Sequence, residues 1–334
     1  MDSSVITAYG DVKSFDSVAA EDLLLGDNGH PKRVIGTSVY RGGMYRVVPA
    51  IGDWYTTLSS HRLSLIAIPP TITTYSKYGK TCVRWVRDFT IQEQWFRGIT
   101  GPAYDEAFAF YIELTDAPER VDVPIPDYIA WLPKMKELYM GYRVAVTWPA
   151  RYVAEQLYDP YTVGMWYGKT LTTDTLDRPS FMERMGESDR ELLGGSVPSS
   201  YTAGSIETRQ QFLAGVIDIL GYTASKNTII LTLKGDKALE TLVFIARGLG
   251  IHTTHRVILS DRYQLFLEGD ELAKLPVKLI SKIIPSYRPS TAAQSTIVDR
   301  YLFTVYYVGE GDCKVIELEG GGRYLLGDYT VAYS

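Results

Sequence analysis

Cysteine and histidine are scarce in this chain: Cys82 and Cys313 are the two thiols, and His30, His61, His252 and His255 lie scattered. Neither set falls in a zinc-ligand spacing or a disulfide framework, which excludes a small cysteine-stapled domain and points to a reducing compartment. Long apolar runs are also missing, since none approaches the roughly 18 to 20 residues that span a bilayer. Met1 is followed at once by polar residues instead of a leader. The expectation is an intracellular protein, not secreted and without a membrane span. A cationic surplus is lacking too, because 34 Lys and Arg stand against 39 Asp and Glu for a net charge of -5. A protein that neutralises many phosphates usually shows a basic balance or a basic face.

What the chain does have is length, apolar content and tyrosine. With 334 residues and 46% hydrophobic residues it exceeds one typical core, so two or three packed units are expected. Tyrosine, at 25 copies, is unusually frequent.

Residues 5–13, 23–36 and 44–68 alternate short β-type runs with Gly–Asp and Asn–Gly turns, which reads as an all-β opening. In residues 69–119 the run KTCVRWV reads as a strand, EQWFRGI as helix-like and AFAFYIEL as a further apolar stretch, with no motif to place. Farther on, Thr228–Lys234 reads as a strand and Lys237–Leu249 as an amphipathic helix closed by Gly250. A hairpin is expected across Asp261–Arg262 and another helix over Asp270–Ile280.

The stretch from Gln211 to Tyr222, spelled QFLAGVIDILGY, resembles the second signature helix of LAGLIDADG homing endonucleases. Residues Leu157–Lys169, LYDPYTVGMWYGK, are similar to the first, with Gly164, Trp166 and Gly168 matching. In that family two such helices pack closely through small residues, and each ends in an acid that holds a divalent metal against DNA phosphate. The resemblance puts Lys169 and Leu220 at the two acid positions, and assigns Asp218 to the helix interior. A lysine ammonium about 4 Å from a dication adds repulsion on the order of 8 kcal/mol at an effective dielectric of ~20. The ligand is missing as well, so no metal and no cofactor is expected there. Gly195 stands where the family carries an assisting lysine. Only about 42 residues separate Lys169 from Phe212, whereas a half-saddle of strands and helices needs ~60 or more; the first half is expected to be truncated.

The chain ends resemble a Hint domain, the horseshoe-shaped module of inteins. Leu58–Ser59–Ser60–His61 stands at its Thr-x-x-His block, keeping the histidine and not the threonine. The closing block, from Gly321 to Ser334, ends in Tyr333 and Ser334 where the family has His-Asn. Serine cannot form the succinimide that cuts the C-terminal junction, and the resemblance finds no nucleophile placed for the N-terminal acyl shift.

These likenesses imply an α+β fold: an all-β Hint horseshoe formed by both chain ends, with an inserted α/β LAGLIDADG-like domain whose first half is truncated. The expected boundaries are 1–119 for the N-terminal Hint-like part with an extra subdomain, 120–290 for the degenerate endonuclease-like domain, and 291–334 for the C-terminal Hint-like part. Both catalytic sites are expected to be lost, at Lys169, Gly195, Leu220, Tyr333 and Ser334, with His61 retained. Residues 151–288 hold 16 Lys and Arg against 16 Asp and Glu, a near-neutral balance that favours a packed α/β module of mixed surface charge over a DNA-binding saddle. Protein partners are expected through the many tyrosines and tryptophans, with DNA weakly supported. The sequence flavour is that of inteins from large DNA viruses and fungi, which implies a structural or protein-binding role such as a viral minor capsid or virion component. A non-cleaving DNA-binding protein is the alternative, and an active endonuclease the third reading.

Overall fold

A computed structural model describes residues 4–50, 52–149, 156, 158–171, 197–282 and 298–334. The opening stretch forms β1 (Ser4–Ile6), β2 (Val12–Ser14), β3 (Leu23–Leu25), the long β4 (Pro31–Pro49), β5 (Tyr55–Leu58) and β6 (Arg62–Ala67). Leu63, Leu65 and Ile66 of β6 are all buried, the near-continuous apolar run of a strand covered on both faces.

Next comes a three-stranded meander, β7 (Thr71–Tyr75), β8 (Lys80–Arg87) and β9 (Thr90–Phe96), backed by α1 (Pro102–Asp116). The run EQWFRGI is therefore mostly strand, not helix. Asp88 and Phe89, at φ 52° and 60°, close a two-residue hairpin between Arg87 and Thr90, and such a turn matches the twist of the strands it joins. Val83, Phe96 and Ala107 form the small core between this sheet and α1.

The chain continues through β10 (Arg120–Pro124), α2 (Ile125–Ala130), α3 (Pro133–Lys136) and β11 (Tyr139–Val144). After it come α4 (Pro160–Thr170), α5 (Ser199–Thr202) and α6 (Ile206–Leu220). A four-stranded unit follows: β12 (Gly221–Ser225), β13 (Thr228–Lys234), α7 (Asp236–Gly248), β14 (His252–Leu259) and β15 (Arg262–Glu268). The helix expected over Asp270–Ile280 is instead two short 3-10 turns, Asp270–Lys274 and Ile280–Lys282. Pro276 is the cause, because it lacks an N–H and drives the preceding residue out of helical space; Leu275 sits at φ -71°, ψ 132°.

The closing strands are β16 (Val298–Tyr301), β17 (Phe303–Leu318), β18 (Arg323–Leu325) and β19 (Val331–Tyr333). β17 runs antiparallel to β4 from Val34 to Pro49, with Val305 opposite Val47, Tyr307 opposite Tyr45 and Cys313 opposite Tyr40. A second sheet has the order β16-β11-β6-β19-β18, with β10 also on β6. Strands from the first and last parts of the chain thus share both sheets, and β10 and β11 from between them complete the second. The fold is mixed α and β, and no described helix is long and apolar enough to cross a membrane.

Two cores divide the molecule, one around Leu63, Val123 and Ile316, the other around α4, α6, α7 and the four-stranded sheet. A third joins them, where Trp148, Tyr329 and Ile6 meet Ala203 and Phe244. Arg209, on α6 and fully buried, lies at this junction. Its guanidinium donates to the carbonyls of Gly204 (3.3 Å), Gly248 (2.7 Å) and Val146, and stacks over Trp148 at 4.8 Å.

Candidate functional site: the helix ends and the His61 cavity

Asp159 caps α4 by accepting from the Thr162 N–H at 2.8 Å, and Pro160 supplies the first helical residue. Ser205 does the same for α6, accepting from Thr208 N–H at 3.0 Å. Such caps satisfy donors that a helix start leaves unpaired. The two helices then pack backbone to backbone. A Cβ placed on Gly164 would lie 2.0 Å from the Phe212 carbonyl oxygen, and one on Gly215 would lie 2.1 Å from that of Tyr161. Only glycine fits at either crossing point.

At the C-terminal ends of this pair, Lys169 is exposed and Leu220 half-buried. Asp218 is the nearby acid, and it is 6% exposed. Its carboxylate accepts from Tyr161 Oη at 2.5 Å, from Lys278 N–H at 2.9 Å and from Leu279 N–H at 3.2 Å. The Lys282 ammonium donates to the carbonyls of Ile217 (3.0 Å) and Asp218 (2.7 Å). Burial holds the Lys282 pKa below the usual lysine range, and the Asp218 charge opposes that fall. Lys278 Nζ sits 3.7 Å over the Tyr161 ring. The residues from Pro276 to Lys282 are thus strapped across the last turn of α6, where a lysine complements the carbonyl end of the helix.

This donor set does not fit a divalent metal. Hard cations need several oxygen ligands, whereas the one carboxylate here is engaged by three donors and its neighbours are lysines. Among the described residues no group of three or more His, Cys, Asp or Glu could hold an ion. Gly195 lies outside the described residues.

The four-stranded sheet, in the order β12-β13-β15-β14, turns Ile229, Leu231, Leu265 and Leu267 inward. Its other face carries Tyr222, Ile230, Phe266 and Thr254 in one register row, Thr232, Gln264 and Arg256 in the next, and Lys234 opposite Arg262 beyond. Arg256 stacks over Phe266 at 5.5 Å and donates to Gln264 at 2.7 Å. Lys234 pairs with Asp261 at 3.5 Å.

His61, Tyr333 and Ser334 come together elsewhere, in a cavity of about 500 Å³ that Cys313, Asp16 and Lys314 also line. Ser334 Oγ donates to the Ile316 carbonyl at 2.7 Å, and Arg62 lies over the Tyr333 ring at 6.0 Å. His61 is held by its backbone, its N–H donating to Leu58 and its carbonyl accepting from Ile125. Burial lowers the imidazole pKa to about 4. It is neutral near pH 7, and its shielded Nε2 has no hydrogen-bond partner among the described residues. Burial raises the Cys313 thiol, which points its proton at the Lys314 carbonyl at 3.5 Å. The thiolate needed for attack is disfavoured there.

Sequence reasoning missed Arg209, Lys282 and a buried ion-pair group at Arg143. The Arg143 guanidinium reaches Asp328 and Asp299, both at 3.2 Å, beneath the Tyr301 ring. Burial alone would raise both acids; for Asp328 the Arg143 and Arg247 charges, and for Asp299 the His252 hydrogen bond and Arg143, hold the carboxyls below their usual range. Arg209 stands among Glu207, Thr208, Gln210 and Gln211, so nothing local marks it as buried.

No curated protein matches the chain. A family model described as homing endonuclease matches residues 196–262, the stretch from α5 through α6 and the sheet as far as the start of β15. That region is homing endonuclease-like, which ties it to nucleic-acid-related function.

Proposed function

We propose that this chain is a non-cleaving relative of intein-borne homing endonucleases, kept as a folded scaffold for binding other macromolecules. The observation that carries the reading is the state of the helix ends: Lys169 and Leu220 occupy the terminal positions, and Asp218 is consumed by Tyr161, Lys278 and Leu279. In this reading residues 1–119 and 291–334 form a Hint-like frame, and 120–290 a degenerate LAGLIDADG-like insert. The pairing of β4 with β17 supports that plan. The neutral His61 beside Tyr333 and Ser334, with a protonated Cys313 thiol, supports the loss of splicing chemistry.

A protein-binding or structural role, of the kind a viral minor capsid component plays, draws support from the β4–β17 ribbon. Val39, Tyr40, Tyr306, Tyr307 and Val308 are exposed along it, and tyrosine is enriched where proteins meet. The test has two arms. Supercoiled plasmid incubated with Mg²⁺ or Mn²⁺ is expected to stay intact; cleavage that Asp218→Asn abolishes would overturn the reading. Cross-linking within the native assembly is expected to map partner contacts to the ribbon, and a ribbon without such contacts removes the protein-binding role.

One observation favours a second reading, duplex DNA binding without cleavage. The open sheet face places Arg256, Lys234 and Arg262 beside Tyr222 and Phe266, and the residues behind it match the homing endonuclease family. Binding of this kind weakens steeply with salt, by about 0.9 in log-log slope for each phosphate neutralised. Absence of a shifted band at low salt removes it.

A further inference from the structure

The meander β7-β8-β9 forms its own three-stranded sheet, anchored to the main core through Val86 and Phe89, and its two faces differ in chemistry. Strand register places Tyr75 opposite Lys80, Thr73 and Trp95 opposite Cys82, Thr71 and Glu93 opposite Arg84, and Ile91 opposite Val86. These residues share one face, because directly opposed residues in antiparallel strands point the same way. The other face carries Val83 and Phe96, packed on Ala107 of α1, and Trp85, whose ring meets Phe110 edge-on at 5.3 Å. At one end of the first face Val86 is buried in the core that holds Leu63 and Val123, and Cys82 is buried beneath its neighbours; the rest of the face is open among the described residues. Trp95 is 47% and Ile91 57% exposed, and Thr71, Thr73, Lys80, Arg84 and Glu93 are exposed with them.

The meander as a segment is cationic and the helix behind it acidic; on the open face itself the strand charges are Lys80, Arg84 and Glu93. Residues 71–97 contain Lys77, Lys80, Arg84, Arg87 and Arg97 against Asp88 and Glu93. Helix α1 behind them carries Asp105, Glu106, Glu113 and Asp116 and no cation. The chain as a whole is acidic, so this cationic sheet is a local feature. Glu93 is matched on the face itself, accepting from Arg84 Nε at 2.7 Å and from Trp95 Nε1 at 3.3 Å. Those contacts pin the indole, and the Tyr75 ring lies beside it at 5.2 Å.

We infer that this open face is a docking surface for single-stranded nucleic acid, with Trp95 and Tyr75 as the stacking platform, Lys80 and Arg84 on the face along the backbone track, and Lys77 in the turn that follows Tyr75. Flat rings on an open sheet, flanked by cations, accept bases of any identity, because every base offers a π-face and every linkage a negative charge. A duplex hides its base faces and gains nothing from the rings. An acidic protein segment would satisfy the cations and likewise leave the rings without stacking partners. The inference stands apart from the function proposed above, since it uses neither the helix pair nor the four-stranded sheet.

The experiment is fluorescence anisotropy of a labelled 12-nucleotide single strand titrated with the full chain at low salt. Binding is expected, weakening as salt rises. Trp95→Ala is expected to reduce affinity on the order of 10-fold, the loss of one stacked base. Lys77→Glu with Lys80→Glu, exposed positions outside any core, is expected to reduce both affinity and the salt slope. Arg256→Ala with Arg262→Ala, on the other sheet, is expected to leave single-strand binding unchanged. Circular dichroism confirms that each variant is folded. The inference is overturned if the strand does not bind, if the meander variants bind as well as the parent, or if the Arg256 and Arg262 variant loses binding instead. It is also overturned if unlabelled duplex or polyglutamate competes as effectively as the single strand.

Discussion

Tyr161 Oη donates a 2.5 Å hydrogen bond to the Asp218 carboxylate, joining the start of α4 to the last turn of α6. The same carboxylate fixes the backbone of Lys278 and Leu279. The one acid in the last turn of α6 is therefore a clasp. Asp218→Ala removes the acceptor from three donors in a buried place, so a loss of about 3 kcal/mol is expected. Urea unfolding measures it. A chelator is expected to leave the parent protein's midpoint unmoved, because no part of the clasp depends on a metal.

Gly215 and Gly164 define the crossing of the helix pair. A methyl group at either must push a backbone carbonyl aside, so Gly215→Ala is expected to destabilise by at least about 2 kcal/mol. Gly164→Ala is expected to do the same, and the double variant to lose less than the sum, since one separation of the helices relieves both clashes. Thermal unfolding of the four proteins tests this.

Arg209 is a buried cation held by carbonyls of Gly204, Gly248 and Val146, and no acid is paired with it among the described residues. Burial lowers its pKa to about 10, so it remains charged at neutral pH. Arg209→Ala leaves three carbonyls unmet and a cavity beside Trp148, an expected loss of about 3 to 5 kcal/mol. Because these carbonyls lie on both sides of the junction, limited proteolysis is expected to free the two bodies from each other more readily in the variant.

His61 supplies a pH dependence whose direction follows from its burial. Its folded pKa of about 4 lies below the ordinary 6.5, so unfolding takes up a proton between those values. Stability is fully present above pH 6.5 and falls as pH drops toward 4, by on the order of 2 to 3 kcal/mol. His61→Gln is expected to flatten that part of the curve. Asp328 and Asp299, whose folded pKa values are depressed, lose their contribution only at lower pH, below the unfolded carboxylate range. Urea midpoints for parent and variant from about pH 2 to 7.5 separate the two windows.

Much of this was legible in local pattern. The small residues of QFLAGVIDILGY announced a close-packed helix, and Thr228–Lys234 and Lys237–Leu249 fall almost at the observed strand and helix bounds. Two local readings failed for local reasons that a longer look at turn chemistry would catch. Pro276 splits the expected last helix, and the Asp88–Phe89 hairpin turns EQWFRGI into an edge strand.

The sequence by itself determined the helix pair and its glycine crossings, because these depend on spacing and on side-chain identity along one element. Only the tertiary structure decided that Asp218 is a clasp, that Arg209 sits at a junction, and that His61 meets Tyr333 and Ser334 in one cavity. Each of those depends on at least one partner 39 or more residues away, brought close by the tertiary fold. How far a charge is desolvated, and which donors then reach it, is set by neighbours that no local periodicity encodes.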